Sequence, residues 1–136
     1  MRWTLNALLF SLLCMTTAHI NTAQAEEKFY ELRTYYAAPG KFEALQSRFR
    51  DHTMKLFAKH GIKVVGFWTP SEGPGKDKML VYVCEYANKE ARTAAWKAFR
   101  GDPDWVKAKS DSEVNGTLTE KVEETFMTST DYSPVK

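Results

Sequence analysis

The sequence predicts an α+β fold in which two β-α-β halves share one four-stranded antiparallel sheet. Three observations predict it. Four strand-length segments, residues 29–36, 62–69, 79–86 and 119–128, are rich in aromatic and β-branched residues, with alternation in the first and last. Helical periodicity fills the gap after the first segment and the gap after the third. The remaining gap, residues 70–77, is short and holds two prolines and two glycines, which suits a hairpin loop. The order β-α-β-β-α-β is that of the split, ferredoxin-like arrangement, with helices on one side of the sheet.

Each element has its own signals. The first strand reads Phe29-Tyr30-Glu31-Leu32-Arg33-Thr34-Tyr35-Tyr36. Side chains alternate across a strand, so Glu31 and Arg33 share one face while Tyr30, Leu32 and Thr34 share the other. Pro39-Gly40 turns the chain into a helix over residues 41–59, whose apolar positions are Phe42, Leu45, Phe49, Leu56 and Phe57. Gly61, behind His60, supplies a left-handed cap. The strand over 79–86 is apolar on both faces, which places it centrally. Asn88 caps a helix running to about Arg100, with Ala91, Ala95, Trp96 and Phe99 inward and Gly101 as its stop. Asp102-Pro103 restarts a shorter helix, Asp as N-cap and Pro in the first turn. Asn115-Gly116 turns into the last strand, where Val122, Glu124 and Phe126 share a face.

The domain is expected to occupy residues 26–136. Residues 1–25 have the layout of a secretory signal peptide: Arg2, an apolar run over 5–15, and Ala23-Gln24-Ala25 as a small-x-small cleavage site. The apolar run is shorter than the roughly 20 residues needed to span a bilayer. An exported protein, periplasmic or secreted, is therefore expected, with no membrane association after cleavage. Mass spectrometry of the protein from its native host should show an N-terminus at Glu26, and an intact Met1 in the cytosol would contradict export. The whole chain carries a net charge of +2. Removing Arg2 with the leader leaves about +1, a balance that offers nothing for nucleic acid. Cys14 leaves with the leader and Cys84 stands alone, so an intramolecular disulfide is excluded and a buried structural thiol is expected. Two histidines, His52 and His60, remain after the leader, too few for a conventional zinc site.

A sheet covered on one side has a second face to account for. By alternation Phe29, Tyr35, Val64, Trp68, Val81, Val83, Val122 and Phe126 are candidates for it. So many large apolar side chains predict a homodimer packed sheet to sheet, closing a barrel between protomers.

Several short segments resemble the NIPSNAP family of the dimeric α+β-barrel superfamily. They are Tyr30-Glu31-Leu32-Arg33-Thr34-Tyr35 with Pro39-Gly40, His60-Gly61-Ile62 with Gly66-Phe67-Trp68, Val81-Tyr82 with Tyr86, Arg92, Asp102-Pro103-Asp104-Trp105, and Tyr132-Ser133-Pro134. The resemblance implies the ferredoxin-like fold and the dimeric barrel, and assigns no reaction.

The candidate ligand-binding residues are Glu31, Arg33, Tyr35, Trp68 and His60. Glu31 and Arg33 can form a charge-assisted pair, and a fixed arginine can hold a carboxylate or enolate. The same pair can equally be a buried or rim ion pair that orders the dimer. His60 suits a helix C-terminus. His52 or His60 as a base, or as an axial ligand of haem, is the alternative to capping and surface roles, and otherwise no cofactor is expected. No nucleophile-base spacing, phosphate loop or metal motif is present. Two classes stay open. One is a homodimeric module that binds a small organic ligand, anionic or carbonyl-bearing, or a protein partner. The other is a small cofactor-independent enzyme, an oxygenase or an isomerase/lyase.

Overall fold

The computed structural model describes residues 27–135. The expected leader, residues 1–25, lies outside the described residues. The elements follow in the order β1 (Phe29–Ala37), α1 (Phe42–Arg48), a π-helical turn (Phe49–Thr53), α2 (Met54–Lys59), β2 (Lys63–Trp68), β3 (Met79–Tyr86), α3 (Lys89–Gly101), α4 (Pro103–Ser112) and β4 (Thr119–Thr128). The sheet order is β2-β3-β1-β4, and the three neighbouring pairs are antiparallel. This is the split β-α-β arrangement, with β1 and β3 at the centre.

Local chemistry sets the boundaries. Gly61 ends α2 at φ +71°, a left-handed conformation that costs glycine nothing. Asn88 caps α3 by accepting the Ala91 N–H at 2.8 Å, and Asp102 caps α4 by accepting the Asp104 N–H at 2.8 Å.

Helices cover the sheet face that carries Glu31, Arg33, Tyr35 and Ala37. Tyr82, Cys84 and Tyr86 from β3 join Leu45, Phe49, Phe57, Trp96 and Phe99 in the core there. Aromatic rings dominate it: Phe57 meets Phe49, Tyr82, Trp96 and Phe99 at centroid distances of 4.9–6.3 Å. Burial pushes the Cys84 thiol up to about 12, which fits a structural role.

The expected roll of open-face residues needs correction. Phe29, Tyr35 and Val64 pack against the helix-side core, and Val122 and Phe126, paired opposite Tyr35 and Glu31, stand on that same side. Trp68, Val81 and Val83 do face the open side. Val64 and Trp68 are four residues apart and by alternation would share a face. A bulge between Val64 and Gly66 breaks the alternation: Val64 pairs with Cys84, whereas Phe67 pairs with Tyr82 and Trp68 with Val81. One extra residue, Val65, flips everything after it. Trp68 then lies back over Gly66, where a Cβ would meet its ring at 2.7 Å.

The long first helix is also irregular. The Met54 N–H reaches the Phe49 carbonyl, five residues back, and the Thr53 hydroxyl donates to the Arg48 carbonyl at 3.2 Å. The widened turn is a π-bulge, a feature frequent at functional sites.

Candidate functional site

Glu31 is 0% exposed, and its environment is built around its charge. Oε1 accepts Arg33 Nη1 at 2.7 Å and also Arg92 Nη2. Oε2 accepts Arg92 Nε at 3.0 Å, Trp96 Nε1 at 2.8 Å and the Tyr86 hydroxyl at 3.1 Å. Burial alone would raise its pKa. The Arg92 and Arg33 hydrogen bonds outweigh that and hold the carboxyl below the ordinary glutamate value. Strand register explains the second acid: Arg33 pairs across to Glu124, and Arg33 Nη1 donates to Glu124 Oε1 at 2.6 Å. Arg92 Nη2 reaches the other Glu124 oxygen at 3.1 Å. Two carboxylates and two guanidiniums thus close a ring, and the Arg33 Cζ lies 4.2 Å from the centre of the Trp96 ring.

Beside this cluster a cleft of about 580 Å³ runs between the helices and the β1–β4 side of the sheet. Arg33 and Tyr35 from β1 and Val122 from β4 line its sheet side. Arg48, Phe49, Thr53 and Phe57 line it from the first helix, Trp96, Phe99 and Arg100 from α3, and Trp105, Lys109 and Ser110 from α4. Phe49 and Thr53 open and close the π turn, so the irregularity shapes this wall. Arg48 is 5% exposed, and its Nη1 donates to Glu113 at 2.8 Å and Ser112 at 3.3 Å. Burial would raise the Glu113 pKa, but Arg48 outweighs it and holds the carboxyl down.

The sequence-predicted residues therefore separate. Glu31, Arg33 and Tyr35 come together, with Arg33 and Tyr35 on the cleft and Glu31 behind them. Trp68 does not join them: it is 53% exposed on the opposite face of the sheet, because of the bulge. His60 is elsewhere too. Its Nε2 lies 2.6 Å from Asp102 Oδ2, an oxygen that Lys59 also reaches at 2.7 Å. Lys59 and His60 hold the Asp102 carboxyl well below its ordinary value. His60 thus ties the end of α2 to the start of α4. His52 is exposed and, like His60, does not line the cleft. Sequence reasoning missed Arg48 and Arg100 as lining cations, and Glu124 as the partner of Arg33. Arg48 had a legible signal: it falls three residues after Leu45 on the buried side of its helix, a cation within an apolar stripe.

Among the described residues, no helix is long and apolar enough to cross a membrane, and no group of three or more His, Cys, Asp or Glu could hold a metal ion.

Comparison with known proteins agrees with this architecture. The NIPSNAP family model matches residues 30–134. Protein NipSnap homolog 3B of Mus musculus is 32% identical over 82 residues, 60% of this chain and 32% of the mouse protein. Protein NipSnap homolog 3A of Pongo abelii is 31% identical over 77 residues, 57% of this chain and 30% of that protein. The chain thus matches about a third of the length of these curated relatives. A NIPSNAP family protein of unknown function from Agrobacterium tumefaciens, solved at 1.50 Å, superposes with a TM-score of 0.70 at 22% identity, over 82% of this chain and 96% of its own. A candidate antibiotic biosynthesis monooxygenase from Nitrosomonas europaea superposes with a TM-score of 0.52 at 10% identity, over 73% and 95%. At those identities the solved structures speak for the fold alone. The match along almost the whole described domain, together with the sheet order, carries the assignment: the chain belongs to the NIPSNAP family.

Proposed function

We propose that this NIPSNAP domain is an exported homodimer that binds a small organic ligand, anionic or carbonyl-bearing, in the cleft between sheet and helices. The observation that carries the reading is the cleft itself. It has the size of a small-molecule site, and its walls are aromatic with a few polar groups converging on them. Four cations, Arg33, Arg48, Arg100 and Lys109, line it against one carboxylate, Glu113. That carboxylate is engaged by Arg48 at 2.8 Å and Lys109 at 3.4 Å, so it is poorly placed to serve as a base. Binding is favoured over turnover for that reason.

The dimer is supported by the other face of the sheet. Trp68 and Val65 are exposed there beside half-buried Val81 and Val83, an apolar surface that a second copy would cover. The two functions then occupy opposite sides of one sheet. Export rests on the leader of residues 1–25.

Native mass spectrometry of the protein purified from its own host tests the reading. The expected result is twice the mature mass together with a bound organic molecule that is lost on denaturation. A ligand-free monomer at micromolar concentration would contradict it.

A further inference from the structure

Resting on that reading of the cleft, we propose that its occupant is an amphipathic monocarboxylate, anchored by Arg100 at the cleft edge, with its apolar body against Phe49, Phe57, Phe99 and Trp105.

The argument begins with which cations are already neutralised. Arg33 donates to Glu31 and Glu124 through Nη1 and contacts the Tyr35 hydroxyl through Nη2 at 3.3 Å. It shares these two acids with Arg92, two charges against two, so a ligand gains little from it. Arg48 and Lys109 share Glu113. Arg100 is different. Among the described residues no carboxylate lies within ion-pair distance of it, and its recorded contact is the Trp96 ring, 5.9 Å from Cζ. It is exposed, so its side chain can swing to meet an incoming group. Two other lining arginines, Arg33 and Arg48, each keep a buried Nε with no hydrogen-bond partner among the described residues, which adds donors on the same cleft.

Arg48, Lys109 and Arg100 thus have Glu113 alone between them, and of the three only Arg100 makes no ion pair among the described residues, so a single guanidinium is left free to anchor a ligand at the cleft edge. A carboxylate matches the planar fork of a guanidinium. The remaining walls are largely aromatic, with the Phe99 and Trp105 rings 4.5 Å apart and tilted by 35°. They fit a hydrocarbon or aryl body and offer little to a second charge. The ligand is thus charged at one end.

The test uses the intrinsic fluorescence of Trp96 and Trp105, which both line the cleft, with 4-phenylbutyrate and its neutral isostere 4-phenylbutan-1-ol as probes. The acid should bind roughly ten- to hundredfold more tightly than the alcohol, the range for a hydrogen bond to a charged group. Arg100→Gln should erase that preference and leave the melting temperature unchanged, because the side chain is exposed and unpaired by acid. Equal binding of acid and alcohol overturns the proposal and leaves the cleft as a site for neutral organic ligands; a preference that survives Arg100→Gln overturns it by placing the anchor on another lining cation. No binding of either probe overturns both the proposal and the reading beneath it.

Discussion

Replacing Glu31 by alanine is expected to remove about 3–5 kcal/mol of folding stability, the usual cost of breaking a buried ion pair. Domains of this size are stable by about 5–15 kcal/mol, so the variant should be marginal or unfolded. The cause is not loss of attraction alone. The side chain fills a buried site between Tyr86 and Trp96, and its removal leaves two guanidiniums sharing the half-exposed Glu124. Glu124→Ala is the control, expected to cost about 1 kcal/mol or less because its carboxylate faces solvent. Urea unfolding followed by tryptophan fluorescence measures both. A Glu31→Ala midpoint no lower than that of Glu124→Ala would show that the buried ring adds no stability. The pH dependence has a definite sign. Glu31 titrates lower in the folded protein than in the unfolded chain, where 4.5 is the ordinary value. Its contribution is therefore complete above about pH 4.5 and fades as the pH falls through the depressed folded value. Glu113 and Asp102, held down by Arg48 and Lys59, act in the same direction. Acid unfolding should begin below pH 4.5, and Glu31→Ala should flatten that limb.

Phe57→Ala is expected to cost a similar amount, about 3–5 kcal/mol, for a different reason. Phe57 is 1% exposed, and four other aromatic rings surround it. Those rings are held by the π turn, α3 and β3, three separate elements, so they cannot collapse together into the vacated space. One of them is Trp96, which also donates to Glu31. The two variants should therefore couple: a double-mutant cycle between Phe57→Ala and Glu31→Ala should depart from additivity by about 0.5–3 kcal/mol. Strict additivity would mean that the aromatic core and the charged ring are independent. The cycle needs a destabilised but folded pair, so it is best run with a stabilising osmolyte present throughout.

The order of elements was legible because strands and helices leave different periods in the chain, and because Gly61, Asn88, Asp102 and Asn115-Gly116 mark the boundaries. The pairing of Glu31 with Arg33 was legible too, since a separation of two on a strand means one face. What closes their ring was less so. Arg92 and Glu124 lie 61 and 91 residues further on than the side chains they meet, and only the sheet register and the seat of α3 bring them in. The side of the sheet was misread because both faces carry apolar residues. In β2 a single extra residue decides the matter, and Val64-Val65-Gly66-Phe67-Trp68 is apolar throughout, so the slip leaves no mark. Val64 was placed with Trp68 on the open side for that reason. Arg100 escaped notice because an exposed arginine at a helix end looks like any other. Its interest comes from the acids that are missing around it.

The π turn in the first helix separates the history of the fold from that of the cleft. A wide turn of this kind is how a helix absorbs one surplus residue without twisting its two ends out of phase. Leu45 before it and Phe57 after it both reach the same core. Loss of a single codon between them would restore an ordinary pitch, keep both ends on the core and redraw the wall that Phe49 and Thr53 now form. One mutational event could thus recast a wall of this cleft while the sheet and its open face remained untouched.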